Sequence, residues 1–170
     1  MPQHPTAKAR VLSIAGSDSG GGAGIQADIK TITALHGYAT TAITALTAQN
    51  TVGVQGILPV PPDFIRSQIR SVLDDIGTDA IKTGMLGGSD AIAVVAEEIT
   101  RAKMARPDLP IVIDPLLVPQ GGALLLQAQA LEALRPLVLP QATVSTPHPP
   151  QSAHLPSLAL AAVGAPPPAT

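Results

Sequence analysis

Val11-Leu12-Ser13-Ile14-Ala15-Gly16-Ser17-Asp18-Ser19-Gly20-Gly21-Gly22-Ala23-Gly24-Ile25 decides how this chain folds. The apolar run up to Ala15 reads as a buried strand, and five glycines within the next nine residues read as a tight turn that lets backbone approach backbone or ligand. A helix follows, because Ile25, Ile29, Ile32 and Leu35 recur at helical spacing as one apolar stripe and Gly37 supplies a stop. Strand, glycine loop and helix in succession form the first half of a β/α unit.

The remainder extends the alternation. Residues 39–48, rich in Thr, Ile and Ala, are predicted as one strand leading into Gln49-Asn50-Thr51, and residues 54–60 as a short strand. Pro62-Asp63 opens a second helix whose Ile65, Ile69, Val72 or Leu73, and Ile76 face a core. A strand over residues 80–83 meets Gly84. Ser89 is placed to cap a third helix carrying Ile92, Val95 and Ile99, with Glu97 and Arg101 spaced for an ion pair. Ile111-Val112-Ile113 is a buried strand ending at Asp114-Pro115, residues 124–134 a fourth helix, and residues 142–145 a last strand. This is an α/β chain with a mainly parallel sheet flanked by helices. Ligands bind such sheets at the carboxyl ends of the strands, which places the Gly16 loop, Gln49, Gly84-Met85 and Asp114 on one rim.

Composition narrows the function. The 170 residues suit one domain, and one Tyr, one Phe and no Trp leave the core to aliphatic side chains and argue against base stacking on single-stranded nucleic acid. Ten basic residues against twelve acidic ones are scattered, without the basic stripe of a duplex-binding or membrane-surface protein. The absence of Cys excludes a disulfide framework, a thiolate metal site and a cysteine nucleophile within these residues. No apolar run approaches the ~18 residues needed to span a bilayer, and the expected compartment is the cytoplasm. His4, His36, His148 and His154 make no metal-ligand spacing. Every Asp, Glu, Lys and Arg lies in residues 1–135, whereas the last 35 residues hold nine of the 18 prolines and no charge. The chain therefore divides into an N-terminal extension over residues 1–9, an α/β body over 10–147 and a Pro/Ala-rich tail over 148–170 that is not its obvious continuation.

Each candidate residue has a structural reading beside a functional one. The glycine loop lacks both the dinucleotide-binding fingerprint and the lysine of a phosphate-binding loop, so it serves equally as a ligand loop or a tight turn. Asp18 suits a polar ligand or an Asx-turn. Asp28 complements the helix dipole near the start of the first helix. Gln49 offers a donor and an acceptor to a planar heterocycle, or stabilises its loop. Lys82 reads as a solvated side chain or a phosphate contact, Met85 as core filler or a ring contact, and Asp114 as a cap or a metal and phosphate ligand.

Four segments in register carry more than any one of them. Residues 15–31 (AGSDSGGGAGIQADIKT), residues 43–51 (ITALTAQNT), Lys82-Thr83-Gly84-Met85-Leu86 and Asp114-Pro115 closely resemble the hydroxymethylpyrimidine/phosphomethylpyrimidine kinases of thiamine biosynthesis. The resemblance implies a ribokinase-like fold, incomplete at the C-terminus. It also implies transfer of the ATP γ-phosphoryl group to 4-amino-5-hydroxymethyl-2-methylpyrimidine and then to its monophosphate, with Mg2+ as cofactor and a homodimer as the family's common assembly. On the same ground Gly16, Asp18, Gly22 and Gln49 belong to the pyrimidine pocket, Met85 and Leu116 line the ring, and Asp114 stands in the phosphate and metal region.

The departures lie toward the C-terminus. Where the family has a T-P-N-x-x-E segment, this sequence reads Thr146-Pro147-His148-Pro149-Pro150-Gln151, and the later Lys-Gly-Gly and G-T-G-C segments, with the anion hole and the base, do not occur. Two other functions follow as alternatives: a truncated non-catalytic remnant with an out-of-frame tail that keeps part of the pyrimidine site, and a pyridoxal kinase-like activity.

Overall fold

The computed structural model describes residues 9–115 and 124–147, with backbone alone for 124–128. Strands β1 (Arg10–Ala15), β2 (Tyr38–Ile43), β5 (Ala80–Thr83), β6 (Ile111–Ile113) and β7 (Val144–Ser145) form a five-stranded parallel sheet in the order β2-β1-β5-β6-β7. Between them lie helices α1 (Gly24–Ala34), α2 (Pro62–Ser71), α3 (Ser89–Ala105) and α4 (Leu124–Leu137). From β1 the chain goes first to one side, to β2, and later returns on the other side as β5. That reversal opens a crevice at the carboxyl ends of β1 and β5, where open α/β sheets bind ligands.

The direction of travel also distributes the helices, because right-handed crossovers running opposite ways lie on opposite faces. On one face Leu12, Ile14, Ile81, Ile111 and Ile113 are fully buried with Ile65 and Ile69 of α2 and Val95 and Ile99 of α3. Ala130 and Leu134 of α4 join this core. On the other face Ser13 and Lys82 meet α1 through Asp28. Here the predicted apolar stripe is corrected: Ile25 is buried, but Ile29 is 37% and Leu35 68% exposed, since α1 overlies β1 and β2 with no second described helix beside it.

The strand predicted over residues 39–48 is two strands. β2 pairs with β1 from Arg10↔Tyr38 to Ala15↔Ile43, and there its partner ends. The chain turns at buried Thr44 and continues as β3 (Ala45–Asn50), which pairs antiparallel with β4 (Gly53–Pro59) in a separate hairpin. Gln68 of α2 closes the exposed edge at this corner: its amide accepts from the Ile43 N–H at 2.9 Å and donates to the Ile43 carbonyl at 3.0 Å.

Two ion networks tie the elements together. At the amino end of the sheet, Asp79 receives the Arg10 backbone N–H and guanidinium and, at 3.3 Å, Arg106. Between α2 and α3, Glu98 is 1% exposed and accepts from Arg66 at 3.0 Å, Arg70 at 2.9 Å and Arg101 at 2.8 Å. The expected Glu97–Arg101 pair is thereby corrected: Arg101 serves Glu98 and Asp74, and Glu97 pairs with Arg66 from the neighbouring helix. Ser89 does not cap α3 either, because Gly88 occupies the cap position and Ser89 the first helical one.

Burial raises the Glu98 carboxyl, but hydrogen bonds from Arg70, Arg101 and Arg66 outweigh it and hold the group below its ordinary value of 4.5. Asp79 is likewise held below 3.8, chiefly by the Arg10 side chain. A carboxyl depressed in the folded state contributes stability that is complete above its unfolded value and lost as the pH falls through its folded one. Urea unfolding is therefore expected to show a plateau above about pH 5 and a decline below it. Because the arginines are partly exposed, Glu98→Gln is expected to cost about 1–3 kcal/mol at pH 7 and to reduce the slope of that decline. A slope unchanged in Glu98→Gln rules out this role.

Candidate functional site

The site begins where β1 runs out. The Gly16 N–H donates to the Met85 carbonyl at 3.1 Å, and a Cβ on Gly16 would stand 2.5 Å from the Met85 Cε, so a larger residue here would displace the tip of the Met85 side chain. Eight residues later the chain returns on itself. The Ile25 N–H donates to the Gly16 carbonyl at 3.0 Å, and Gly24, at φ 55°, lies so close to that carbonyl that a Cβ has no room.

Inside the loop Asp18 is 5% exposed, and its carboxylate gathers the surrounding amides. One oxygen accepts from Gly20 at 2.8 Å, and the other accepts from Gly22 at 2.9 Å and Ala23 at 2.8 Å. Burial raises the Asp18 carboxyl, but the amide hydrogen bonds of Gly20, Ala23, Gly22 and Gly21 prevail and hold it below its ordinary value. This is the Asx-turn reading of Asp18, extended to a ring of amides. Gln26 accepts from the Asp18 N–H at 2.7 Å, and Lys30 donates to the Gly21 carbonyl at 2.7 Å, so α1 holds the loop that precedes it.

The hairpin is fastened to this loop as to a third strand. The Ser17 N–H donates to the Ala45 carbonyl at 2.8 Å, and the Thr47 hydroxyl donates to the Ser17 carbonyl at 2.8 Å. Ser19 then binds the backbone of Gln49 at both ends, donating to its carbonyl at 2.6 Å and accepting from its N–H at 2.7 Å. At the corner, Thr44 donates to the Met85 carbonyl at 2.7 Å. Gly16, Asp18, Gly22, Gln49 and Met85 thus share one rim at the crevice. Asp114, whose N–H donates to the Thr83 carbonyl at 3.0 Å, ends the neighbouring strand β6 on the same side of the sheet. Leu116, His148 and Gln151 lie outside the described residues.

Two charged residues meet beneath α1. Lys82 is not simply solvated, since its ammonium pairs with Asp28 at 2.9 Å. Asp28 lies beyond the first turn of α1 and accepts both Lys82 and, at 2.6 Å, the Ser13 hydroxyl, so it joins α1 to the sheet instead of serving the helix dipole.

Comparison with known proteins agrees with the motifs. The family profile described as phosphomethylpyrimidine kinase matches residues 18–163. The chain belongs to the phosphomethylpyrimidine kinase family. It is 49% identical over 147 residues to the hydroxymethylpyrimidine/phosphomethylpyrimidine kinase of Streptomyces coelicolor, covering 86% of this chain and 53% of that protein. The phosphomethylpyrimidine kinase structure from Clostridium difficile superposes with a TM-score of 0.78 at 37% identity, over 88% of this chain and 63% of that one. A pyridoxal kinase from Staphylococcus aureus, solved with AMP-PCP and pyridoxal, gives 0.73 at 34% identity over 88% and 51%. The fold is ribokinase-like, and the chain spans about half the length of the curated kinases it matches.

Ser17, Ser19, Thr44 and Thr47, which build the rim of this kinase-family fold, escaped the reading of single residues. Their signal was the alternate spacing of Ser17 with Ser19 and of Thr47 with Gln49, the period of paired extended segments. No group of three or more His, Asp or Glu that could hold a metal occurs among the described residues, and Mg2+ ordinarily needs only one or two carboxylates beside substrate phosphates, for which Asp114 is the rim candidate. Asp18 is committed to amides and Asp28 to Lys82. The described residues do not by themselves make up a Mg2+ site. No described helix is long and apolar enough to cross a membrane.

The role of Asp18 is open to direct measurement. In Asp18→Ala, amide hydrogen exchange at Gly20, Gly22 and Ala23 is expected to accelerate by about tenfold or more while β1 amides keep their protection. Equal acceleration in both places, or in neither, contradicts a loop held by this carboxylate.

Proposed function

We propose that this chain carries the pyrimidine-binding part of a kinase that phosphorylates 4-amino-5-hydroxymethyl-2-methylpyrimidine, and then its monophosphate, from ATP in thiamine biosynthesis. The observation that carries the proposal is the fastening of the Gln49 backbone to the glycine loop by Ser19, which keeps a residue with a two-sided hydrogen-bonding amide against that loop. In this reading the Gln49 amide pairs with the aminopyrimidine edge, Gly16 leaves room for the ring, and Met85 and Leu116 cover its faces. Asp18 and Gly22 hold the loop that closes over it, and Asp114 faces the phosphates. Mg2+, when bound, would neutralise phosphate charge. Phosphoryl transfer depends mainly on positioning and electrostatic stabilisation, and these residues supply the positioning of the acceptor hydroxymethyl group.

A second reading is pyrimidine binding without turnover, supported by Thr146-Pro147-His148-Pro149-Pro150-Gln151 standing where the family has T-P-N-x-x-E. A third is pyridoxal phosphorylation, favoured by the likeness to the Staphylococcus aureus enzyme. Calorimetric titration of the chain with the hydroxymethylpyrimidine, paired with phosphorus NMR of ATP turnover, separates them. Binding with turnover supports the kinase, and binding alone the second reading; pyridoxal phosphorylation with the pyrimidine ignored supports the third. Gln49→Ala is expected to weaken pyrimidine binding about 10- to 100-fold, the loss of a two-point contact. A dissociation constant unmoved by this substitution removes Gln49 from the site.

A further inference from the structure

The hairpin of β3 and β4 shares no pairing with the five-stranded sheet, so its place beside the crevice is set where the chain enters and leaves it. Entry and exit meet at one point. The N–H of Val60, just past β4, donates to the carbonyl of Thr44, just before β3, at 3.0 Å. On the sheet side this neck is fastened twice, by the Thr44 N–H to the Ala15 carbonyl at 3.0 Å and by the Thr44 hydroxyl to the Met85 carbonyl at 2.7 Å. Both fastenings come from the inner strands, and by themselves they leave the hairpin able to tilt about the end of β2.

A third fastening comes from the opposite side. β2 is the edge of its sheet, and because Thr44 points its N–H at β1, Ile43 points its own N–H and carbonyl away. The Gln68 carboxamide meets both, accepting from the N–H at 2.9 Å and donating to the carbonyl at 3.0 Å. A backbone N–H only donates and a backbone carbonyl only accepts, so this amide has a single orientation, and both lengths are those of ordinary N–H···O bonds. Gln68 thus stands in for a neighbouring strand at one residue, the last before the neck. It does so from α2, whose Ile65 and Ile69 are fully buried and whose Arg66 and Arg70 bind Glu98 of α3 at 3.0 and 2.9 Å.

We infer that Gln68 is a positioning residue of the pyrimidine site: through Ile43 it fixes the tilt of the hairpin and so sets how far Gln49 stands from the crevice. This deepens the pyrimidine-kinase reading and rests on it. Gln49 lies six residues beyond Ile43. Along an extended chain that is about 20 Å, so a tilt of about 5° at the neck moves Gln49 by roughly 2 Å. Binding constellations tolerate only about 0.5 Å. Ser17 and Ser19 hold the hairpin along its length, but Ser19 and Gly20 are exposed residues of a turn, whereas Gln68 holds its base from a helix seated in the core.

The test titrates the full chain with 4-amino-5-hydroxymethyl-2-methylpyrimidine in the wild type, Gln68→Met, Gln68→Glu, Gln49→Ala and the double variant Gln68→Met/Gln49→Ala, with Ile69→Val as a control. Gln68→Met keeps the length of the side chain and loses both bonds, and Gln68→Glu keeps the acceptor and loses the donor. Each is expected to weaken binding by about tenfold. Ile69→Val loosens the same helix in the core without touching Ile43, and its dissociation constant is expected to stay within about twofold of the wild type. In the Gln49→Ala background Gln68→Met is expected to change binding by less than about twofold, because the residue it positions is gone. Unchanged binding in both Gln68 variants, an equal loss in Ile69→Val, or losses that add in the double variant overturns the role of Gln68 alone. Absence of pyrimidine binding by the wild type, or unaltered binding in Gln49→Ala, overturns the pyrimidine-site reading and this inference with it.

Discussion

The structure depends on one close approach, that of Gly24 to the carbonyl of Gly16. No Cβ fits at Gly24, and its positive φ is one that other residues rarely adopt. That contact closes the loop into a ring, sets the first turn of α1 against the end of β1, and leaves Ser17 and, in the turn at 19–20, Ser19 facing the hairpin. Everything on the hairpin side follows from those two serines, because β3 has no partner in the main sheet. It is held by β4 on one edge and by the loop on the other. A loop that relaxed would therefore release the hairpin as well.

Charge is distributed so as to leave this rim largely alone. The Asp79 network lies at the amino end of the sheet and the Glu98 network between α2 and α3. Lys82 and Asp28 neutralise each other beneath α1. What converges at the crevice is mostly backbone amides and carbonyls, hydroxyls of Ser and Thr, the carboxamides of Gln26 and Gln49 and a thioether, with the Asp18 carboxylate satisfied by loop amides. Such groups act through direction more than through charge. A mismatch is costly because a desolvated donor or acceptor left unpaired loses about 1–3 kcal/mol.

Much of this was legible in the sequence, for definite reasons. The parallel sheet could be read because Leu12-Ser13-Ile14, Ile81-Lys82-Thr83 and Ile111-Val112-Ile113 are short apolar or alternating runs separated by helical periods and turn residues. The break at Thr44 could not, because Thr-Thr-Ala-Ile-Thr-Ala-Leu-Thr over residues 40–47 has one continuous composition. What divides it is the end of β1, a partner 28 residues away in the register Ala15↔Ile43. Ion pairs failed for the same reason. Arg66 and Arg70 reach Glu98 from another helix, and local spacing is silent about them. The strand-end rule placed the Gly16 loop, Gln49, Met85 and Asp114 on one rim, and the family motifs supplied their expected roles.

The hairpin shows how such a site is aimed without a rigid sheet beneath it. At its tip the Asn50 side chain accepts the Val52 and Gly53 N–H groups, so the turn is held locally. Between tip and corner the register slips at Ala48/Gln49, where Gln49 pairs with Val54 and Ala48 with Gly56, so Gln55 is the extra residue of a bulge. A bulge bends its strand and re-aims the side chains beside it. Here the bulge is in β4, opposite the residue whose backbone Ser19 clamps from the other edge of β3. Bulge and clamp thus meet at Gln49: regular pairing with β4 is interrupted on one edge, and Ser19 holds the backbone on the other.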